Sequence, residues 1–537
     1  MYGPSIRERP RQLVALHFAL TRAVFRKGRL EENFGEDPAL VSAMGAAAVR
    51  GLHGGNTDGP SSYLPEGTVV SEAKHAAAYG CGGKDGAGCD IGERTLYDIY
   101  LRPWRDYARS GGRGAMMAHN QINDVPCHAS AGLMGQLRDW GLEKGFMASD
   151  FCDVGLLRKH PPWGGFCVAA NLDDAAKMSM EAGLDMELCQ PTDMRGLAFN
   201  HTASLVRSGR MDVKHLDRAV ENLLRAKFAV GLFDRLPDPA RLSVLNSPAH
   251  RAVARKVATE GAVLLLNREG TLPLNVAKQN YRIAIVGPSA GCADNATSCP
   301  ALAEQVGDCK YSCSLSSFLR LKAAPAADTG MSPTIVSLLA AAYNGSLPRH
   351  VEVTYHPGTH GWISNETGAF SAAVAAAKAA DVVVAAVGDG DRTCGEDQDR
   401  VTIDLPGVQP ELLDALAGTG TPVVAVLIHG RPVTFERLNL LDKLSAVVAA
   451  WRPGAQGGPA LWSLLTGEDN FSGRLAQAWV WSTSWVHTQG NPWFHKRRAD
   501  YDESPYQASR FAGEQVPYTP MFSFVSTQCL LVFSLLG

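Results

Sequence analysis

Two segments of the sequence place carboxylates where they could do chemistry. The stretch GFMASD, residues 145–150, is a short apolar run that ends on Asp150. A run of this type predicts a buried strand, and Asp150 by itself fits a helix cap as well as a reactive group. A second stretch, GDGDRTCGEDQDR, is dense in carboxylates and follows the apolar run VVVAAV. Fixed carboxylates can act as nucleophiles, bases or acids.

Other polar residues also follow predicted strands in the first part of the chain. EGTVVSEAKH, GAMMAHN and GFMASD predict strands, GERTLYDIYLRPWRDYARSGG and AGLMGQLRDWGLEKG predict helices, and NLDDAAKMSMEAGLDMEL predicts a helix and then a strand. This alternation predicts parallel strands with crossover helices, as in a (β/α) barrel. In a barrel, the carboxyl ends of the strands form the active-site face. The polar residues expected there are Lys74, His75, His119, Asn120, Asp150, Asp185 and Glu187.

The second part of the chain predicts a different sheet. Four continuous apolar runs, YRIAIVG, ADVVVAAVG, TPVVAVLIHG and LSAVVAAWRPG, are typical of a parallel sheet covered on both faces. Helical segments lie between them, so we predict a doubly wound α/β layer. Residues 291–358 are rich in Cys, Ser and Pro and predict mostly loop. AIVGPSAG lacks the G-x-G-x-x-G spacing of a dinucleotide-binding motif. The hypothesis that the protein is a dehydrogenase is therefore supported only by the doubly wound layer.

Composition and charge exclude several classes of protein. The 537 residues, 45% of them hydrophobic and 20% charged, fit a soluble globular protein of more than one domain. A net charge of −3 without a Lys/Arg stripe argues against a nucleic-acid partner. The closing stretch MFSFVSTQCLLVFSLLG is shorter than the roughly 20 apolar residues of a spanning helix. We therefore expect no membrane partner and favour an aberrant or truncated end.

The cysteines and the N-glycosylation sequons bear on the cellular compartment of the protein. The densest of the 12 cysteines, Cys292, Cys299, Cys309 and Cys313, favour a disulfide-bearing loop over a metal site. Sequons at Asn200, Asn295, Asn344, Asn365 and Asn470 favour secretion slightly. The opening MYGPSIRERPRQ is not a signal peptide.

A series of motifs carries a family resemblance. In chain order these are GRLEENFGEDP, EAKHAAAYG, MMAHNQINDVP, LRDWGLEKGFMASD, EGAVLLLNREGTLPL, DRVTIDLPGVQPELL and WRPGAQGGPALWSLLTGEDNFSGRL. Together they resemble glycoside hydrolase family 3, within it the β-xylosidase-like members. The resemblance implies a (β/α)8-type barrel, here N-terminally incomplete, followed by a doubly wound α/β sandwich domain. The limits expected are 1–235 for the barrel, 236–246 for a linker, 247–481 for the sandwich and 482–537 for an irregular tail.

The same resemblance implies catalytic residues and a reaction. Retaining glycosidases use two carboxylates, one attacking the sugar carbon and one protonating the leaving oxygen. Asp150 matches the nucleophile and Glu396 the acid/base, although a solvated acidic loop is the alternative for the latter. Arg29, Lys74 and His75 match sugar-holding residues, and His119 stands where the family has a tyrosine. Asp185 and Glu187 are expected to orient the site rather than to react.

The resemblance also sets the expected substrates and the alternatives. We expect an exo-acting enzyme that releases xylose from xylo-oligosaccharides or aryl glycosides, secreted as a glycoprotein to the cell wall or medium, without cofactor or metal. A β-glucosidase or an α-L-arabinofuranosidase is the alternative within the family, and an N-acetylhexosaminidase is disfavoured by KHAAAYG. The short segment before Gly28 and the fading pattern beyond Trp481 suggest truncation at both ends. These two features suggest an alternative to an enzyme, namely an inactive remnant that binds carbohydrate.

Overall fold

The chain forms two compact units. The computed structural model describes residues 13–17, 28–79, 88–158, 165–234, 244, 247–289, 350–390, 392–396 and 398–479. The first unit contains the described residues of Met1–Arg22 and Glu32–Pro239, and the second contains those of Ala23–Glu31 and Ala240–Gly537. The predicted limits at residues 235 and 247 stay predictions, because most of the predicted linker lies outside the described residues.

A parallel sheet organises the first unit. The strands of this unit are β1 (Leu13–His17), β2 (Val70–Ala76), β3 (Gly114–Met117), β4 (Gln121–Ile122), β5 (Val125–Pro126) and β6 (Phe146–Ala148). The parallel sheet has the order β1-β2-β3-β6, while β4 and β5 form a separate hairpin. The strands predicted around residues 70, 115 and 146 are therefore confirmed. Where AGLDMEL predicts a further strand, Met186 makes only a single parallel bridge to Ala148.

Helices pack around this sheet. They are α1 (Pro38–Leu52), α2 (Glu93–Thr95), α3 (Arg102–Arg109), α4 (Ala131–Leu137), α5 (Leu172–Ala182), α6 (Thr202–Arg207) and α7 (Val213–Ala229). Asn171 caps α5 by accepting from Asp174 N. The single helix predicted over residues 92–112 is interrupted by a π-helical turn, Leu96–Tyr100, before α3. Pro103 has no N–H to continue the α-helical bonding there.

A second sheet organises the second unit. Its elements are α8 (Pro248–Gly261), β7 (Val263–Asn267), β8 (Tyr281–Val286), β9 (Val351–His356), α9 (Phe370–Ala379), β10 (Val382–Gly388), α10 (Gln409–Ala417), β11 (Val423–Ile428), α11 (Leu440–Lys443), β12 (Ala446–Trp451) and α12 (Gly457–Thr466). The strand order is β7-β12-β11-β10-β8-β9. The four predicted runs form β8, β10, β11 and β12, which are parallel, but β7 pairs antiparallel with β12 and makes the sheet mixed.

The middle strands of this sheet are covered on both faces. All residues of β10 and β11 are buried, and successive residues such as Val383 and Val384 join different apolar clusters. The loop prediction over residues 291–358 is wrong at β9, whose sequence VEVTYH forms an edge strand. The rest of that segment up to residue 349, including Cys292, Cys299, Cys309 and Cys313, lies outside the described residues, as does the tail beyond Trp479.

Candidate active site

Parallel pairing brings three sequence-predicted residues of the first unit together. Asp150 follows the end of β6, His75 lies near the end of β2, and His119 follows β3. Because the strands are parallel neighbours, their carboxyl ends share one edge of the sheet. His119 Nε2 lies 2.8 Å and His75 Nε2 3.0 Å from the same oxygen, Asp150 Oδ2.

These contacts determine the charge on Asp150. Burial by itself would raise the pKa of Asp150, but the charges and hydrogen bonds of His119 and His75 outweigh it and hold the pKa well below its usual range. The other oxygen, Oδ1, accepts from Phe151 N at 2.7 Å. About 14% of the side chain stays accessible. Asp150 is therefore a fixed and partly accessible carboxylate that favours its ionised form.

Two further residues of this cluster, Asp153 and His128, are not predicted from the sequence. Asp153 is completely buried and places Oδ2 2.6 Å from His119 Nδ1. His128 Nε2 accepts a hydrogen bond from Asp150 N at 3.1 Å, and burial lowers the pKa of His128. The only sequence signal for Asp153 is its position three residues after Asp150, in SDFCDVG.

Four other polar residues in or near the strands of the first unit form two groups. Lys74 is half-buried on β2 beside His75. On the same strand, burial raises the pKa of Glu72 to about 8, against the opposing charge of Lys74. Asp185 and Glu187 instead accept backbone hydrogen bonds, from Met147 N and from the amides of residues 198 and 199. That they orient the site stays a prediction.

In the second unit, Glu396 lies in a loop that follows β10. We call the described part of residues 389–400, which is rich in carboxylates, the acid loop. Glu396 is buried, and its Oε1 lies 3.3 Å from Arg29 Nη1. Arg29 belongs to the short segment Ala23–Glu31 that is part of this unit. Gly28 is required beside it, because a Cβ there would meet Gly395 O at 1.9 Å.

A buried ionic network anchors the acid loop. Arg431, fully buried, donates through Nη2 to the carbonyl oxygens of Thr393 and, at 2.8 Å, Gln398. Asp389 Oδ1 accepts from Arg400 Nη1 at 3.0 Å, and its Oδ2 lies 3.6 Å from Arg431 Nε. Paired charges with further hydrogen bonds hold buried loops in one geometry. The network therefore fixes the backbone on both sides of Glu396.

Within the residues that the structure describes, one group of His, Cys, Asp and Glu has the spacing of a metal site, namely Cys152, Cys189 and Asp193. Cys152 and Cys189 form a disulfide. Cysteines bonded to each other do not supply the thiolates that bind zinc.

Comparison with known proteins identifies the family of this chain. The model of the glycosyl hydrolase family 3 N-terminal domain matches residues 18–226, and that of the family 3 C-terminal domain matches residues 262–524. The chain belongs to glycosyl hydrolase family 3. This confirms the resemblance and the two-domain α/β fold class predicted from the sequence.

Family 3 relatives include both xylosidases and glucosidases. A β-xylosidase of Formosa agariphila is 32% identical over 93% of this chain and 64% of its own length. A periplasmic β-glucosidase of Salmonella typhimurium is 31% identical over 84% of this chain and 56% of its own. A solved β-glucosidase of Erythrobacter marinus has a TM-score of 0.75 at 29% identity, over 96% of this chain and 65% of that one. This family 3 chain thus spans somewhat more than half the length of its relatives.

None of the described helices of this family 3 chain has an apolar stretch long enough to cross a membrane.

Proposed function

We propose that this chain is a retaining exo-glycosidase that removes terminal β-linked sugars, with xylose from xylo-oligosaccharides as the preferred substrate. The observation that carries the proposal is Asp150, an ionised carboxylate within 3.0 Å of two imidazoles at a strand end of a family 3 chain. The β-xylosidase of Formosa agariphila supports the choice of xylose.

The first step of the proposed reaction uses both carboxylates. An oxygen of Asp150 attacks the anomeric carbon, the bond from that carbon to the leaving oxygen breaks, and Glu396 gives its proton to that oxygen. The products are a glycosyl ester on Asp150 and a free alcohol. Arg29, Lys74 and His75 are proposed to hold the hydroxyls of the terminal sugar, since Arg and Lys donate several hydrogen bonds each.

The second step returns the enzyme to its starting form. Glu396, now a carboxylate, takes a proton from water while the water oxygen attacks the anomeric carbon. The bond from the anomeric carbon to Asp150 breaks, and its electron pair remains on the carboxylate. Two inversions at one carbon give a product with the original β configuration.

A β-glucosidase is the second candidate, because the solved structures that resemble this chain include β-glucosidases from Erythrobacter marinus and Listeria innocua. An α-L-arabinofuranosidase and a carbohydrate-binding protein without activity are further outcomes that the same assay separates.

We also propose an extracellular or cell-wall location for a glycosylated protein. The sequon residues Asn200, Asn365 and Asn470 are all exposed, as attachment of a glycan requires. Digestion of the secreted protein with a peptide N-glycosidase should lower its mass, and an unchanged mass would contradict glycosylation.

The nucleophile is tested by comparing 4-nitrophenyl β-xyloside, β-glucoside and α-arabinofuranoside as substrates. We expect turnover of the xyloside to exceed that of the others, and Asp150→Ala to lower kcat by on the order of 10⁴-fold or more. Asp139→Ala is the matched control, since Asp139 is an exposed carboxylate of the same unit. If the unaltered chain turns over none of these glycosides, the proposal that it is a glycosidase is refuted. If Asp150→Ala retains turnover, the proposal that Asp150 is the nucleophile is refuted.

The acid/base is tested by leaving-group dependence. Glu396→Ala should lose on the order of 10²–10⁴-fold with a poor leaving group and much less with an activated aryl group, which needs no proton. Azide should restore turnover and yield the β-glycosyl azide, while Glu468→Ala, an exposed glutamate of the same unit, should behave as the unaltered chain. Equal losses with both leaving groups and no azide product would exclude Glu396 from this role.

A further inference from the structure

His119 lies between two carboxylates of the first unit. Its Nε2 is 2.8 Å from Asp150 Oδ2 and its Nδ1 is 2.6 Å from Asp153 Oδ2. Ionised carboxylates only accept hydrogen bonds, whereas a neutral imidazole donates from one nitrogen and accepts at the other. Both contacts are attractive only when both ring nitrogens carry protons. The geometry is therefore that of an imidazolium between two anions.

The surroundings of His119 support this charge. Burial opposes protonation, but Asp153 and Asp150 outweigh it and raise the pKa of His119 to about 10. Other titratable groups lie around the cluster. His75 Nε2 is 3.0 Å from Asp150 Oδ2, and His128 Nε2 is 3.8 Å from Asp153 Oδ2. The ring centre of Tyr79 is 5.7 Å from that of His119, and Glu72 and Lys74 on β2 interact electrostatically with each other.

We propose that Asp153 is a positioning residue of this site, which holds His119 as a cation against Asp150 through both steps of the double displacement. The inference rests on the proposed function and adds to it a residue that acts through His119 rather than on the sugar. Asp153 is completely buried, so its charge is little screened by solvent.

The two steps make different demands on Asp153. In the free enzyme, Asp150 and Asp153 both stabilise the imidazolium. Once the sugar carbon is bonded to Asp150, that carboxylate is a neutral ester, and Asp153 is the anion that remains beside His119. In the second step, the bond from the sugar carbon to Asp150 breaks and its electron pair returns to the carboxylate. A cation beside the oxygen that gains this charge stabilises the transition state.

Asp153→Asn should therefore slow hydrolysis of the glycosyl-enzyme more than its formation. With an activated aryl glycoside, we expect kcat to fall by about tenfold to a hundredfold and kcat/KM by less than about threefold, with a burst of aryl product before the steady state. His119→Gln, which puts a neutral amide in place of the cation, should likewise lower kcat more than kcat/KM. In that background Asp153→Asn should add little, because the group through which it acts is gone.

The charge state of His119 is measured separately, from the ¹⁵N shifts of labelled histidines assigned by loss of the signal in His119→Gln. We expect both nitrogens of His119 to be protonated at pH 8, and His119 to become neutral in Asp153→Asn. A neutral His119 at pH 8 in the unaltered chain would overturn the inference even if Asp153→Asn does not fold. Parallel losses of kcat and kcat/KM without a burst, in a chain that hydrolyses glycosides, would also overturn it. A chain that hydrolyses no glycoside would instead refute the proposed function.

Discussion

Asp185 gives the sharpest test of how β6, the strand that precedes Asp150, is held. Its side chain is completely buried and accepts four hydrogen bonds. The donors are Arg138 Nη2 at 2.9 Å, Arg218 Nε at 3.2 Å, Asn222 Nδ2 at 3.2 Å and the backbone N of Met147 in β6 at 2.9 Å. Asp185→Asn keeps the shape of the side chain but removes its charge, and its amide nitrogen then faces donors.

The size of the effect follows from these contacts. A hydrogen bond to a charged group contributes about 1.5–3 kcal/mol, and breaking a buried ion pair costs about 3–5 kcal/mol. Arg138 and Arg218 are 15% and 28% exposed, so water compensates part of the loss. We expect the free energy of unfolding of the first unit to fall by about 3 kcal/mol.

Unfolding of a chain with two units need not be two-state, so the assay must report on the first unit alone. Hydrogen exchange of peptides that cover β3 and β6 gives the opening free energy of this sheet. Asp217→Asn is the matched control, because Asp217 is an exposed carboxylate on the same helix as Arg218 and should change the value by less than about 0.5 kcal/mol. A loss below about 1 kcal/mol in Asp185→Asn would refute the assignment of these contacts as the support of β6.

Three further predictions follow from the described contacts. His75→Gln removes one imidazole that lowers the pKa of Asp150, so the acid limb of the pH profile of kcat/KM should move to higher pH; an unmoved limb would contradict the electrostatic account. Arg431→Met removes the donor that joins both sides of the acid loop, and exchange of the loop amides should quicken by about tenfold or more, measured by mass spectrometry; unchanged exchange would show that other contacts suffice. The Cys152–Cys189 disulfide closes 37 residues, so replacing both cysteines by alanine should cost about 4 kcal/mol in chemical denaturation of the first unit, and a cost near zero would disprove its stabilising role.

The sequence carried most of the information on which segments are strands. Continuous apolar runs predicted β8, β10, β11 and β12, because a strand covered on both faces is apolar at every position and this is visible locally. The sequence does not predict β9, because the composition of the segment around it favours loop, although VEVTYH alternates as an edge strand does. The antiparallel direction of β7 could not be predicted either, since a run of apolar residues does not specify the direction in which it pairs.

The sequence alone also determined that a strand precedes Asp150 and that the chain resembles family 3. Only the tertiary structure decided what surrounds Asp150. His119 and Asp153 follow the paired strands β3 and β6, whose pairing brings His119 Nδ1 to 2.6 Å from Asp153 Oδ2. His128 lies on a short helical turn and accepts from Asp150 N at 3.1 Å. No local periodicity of the sequence records such contacts. Arg29 likewise lies hundreds of residues from Glu396 in the chain, yet both belong to one unit and form an ion pair there. Charge pairs between distant segments depend on how the chain packs, so their partners become visible only once the fold has placed them.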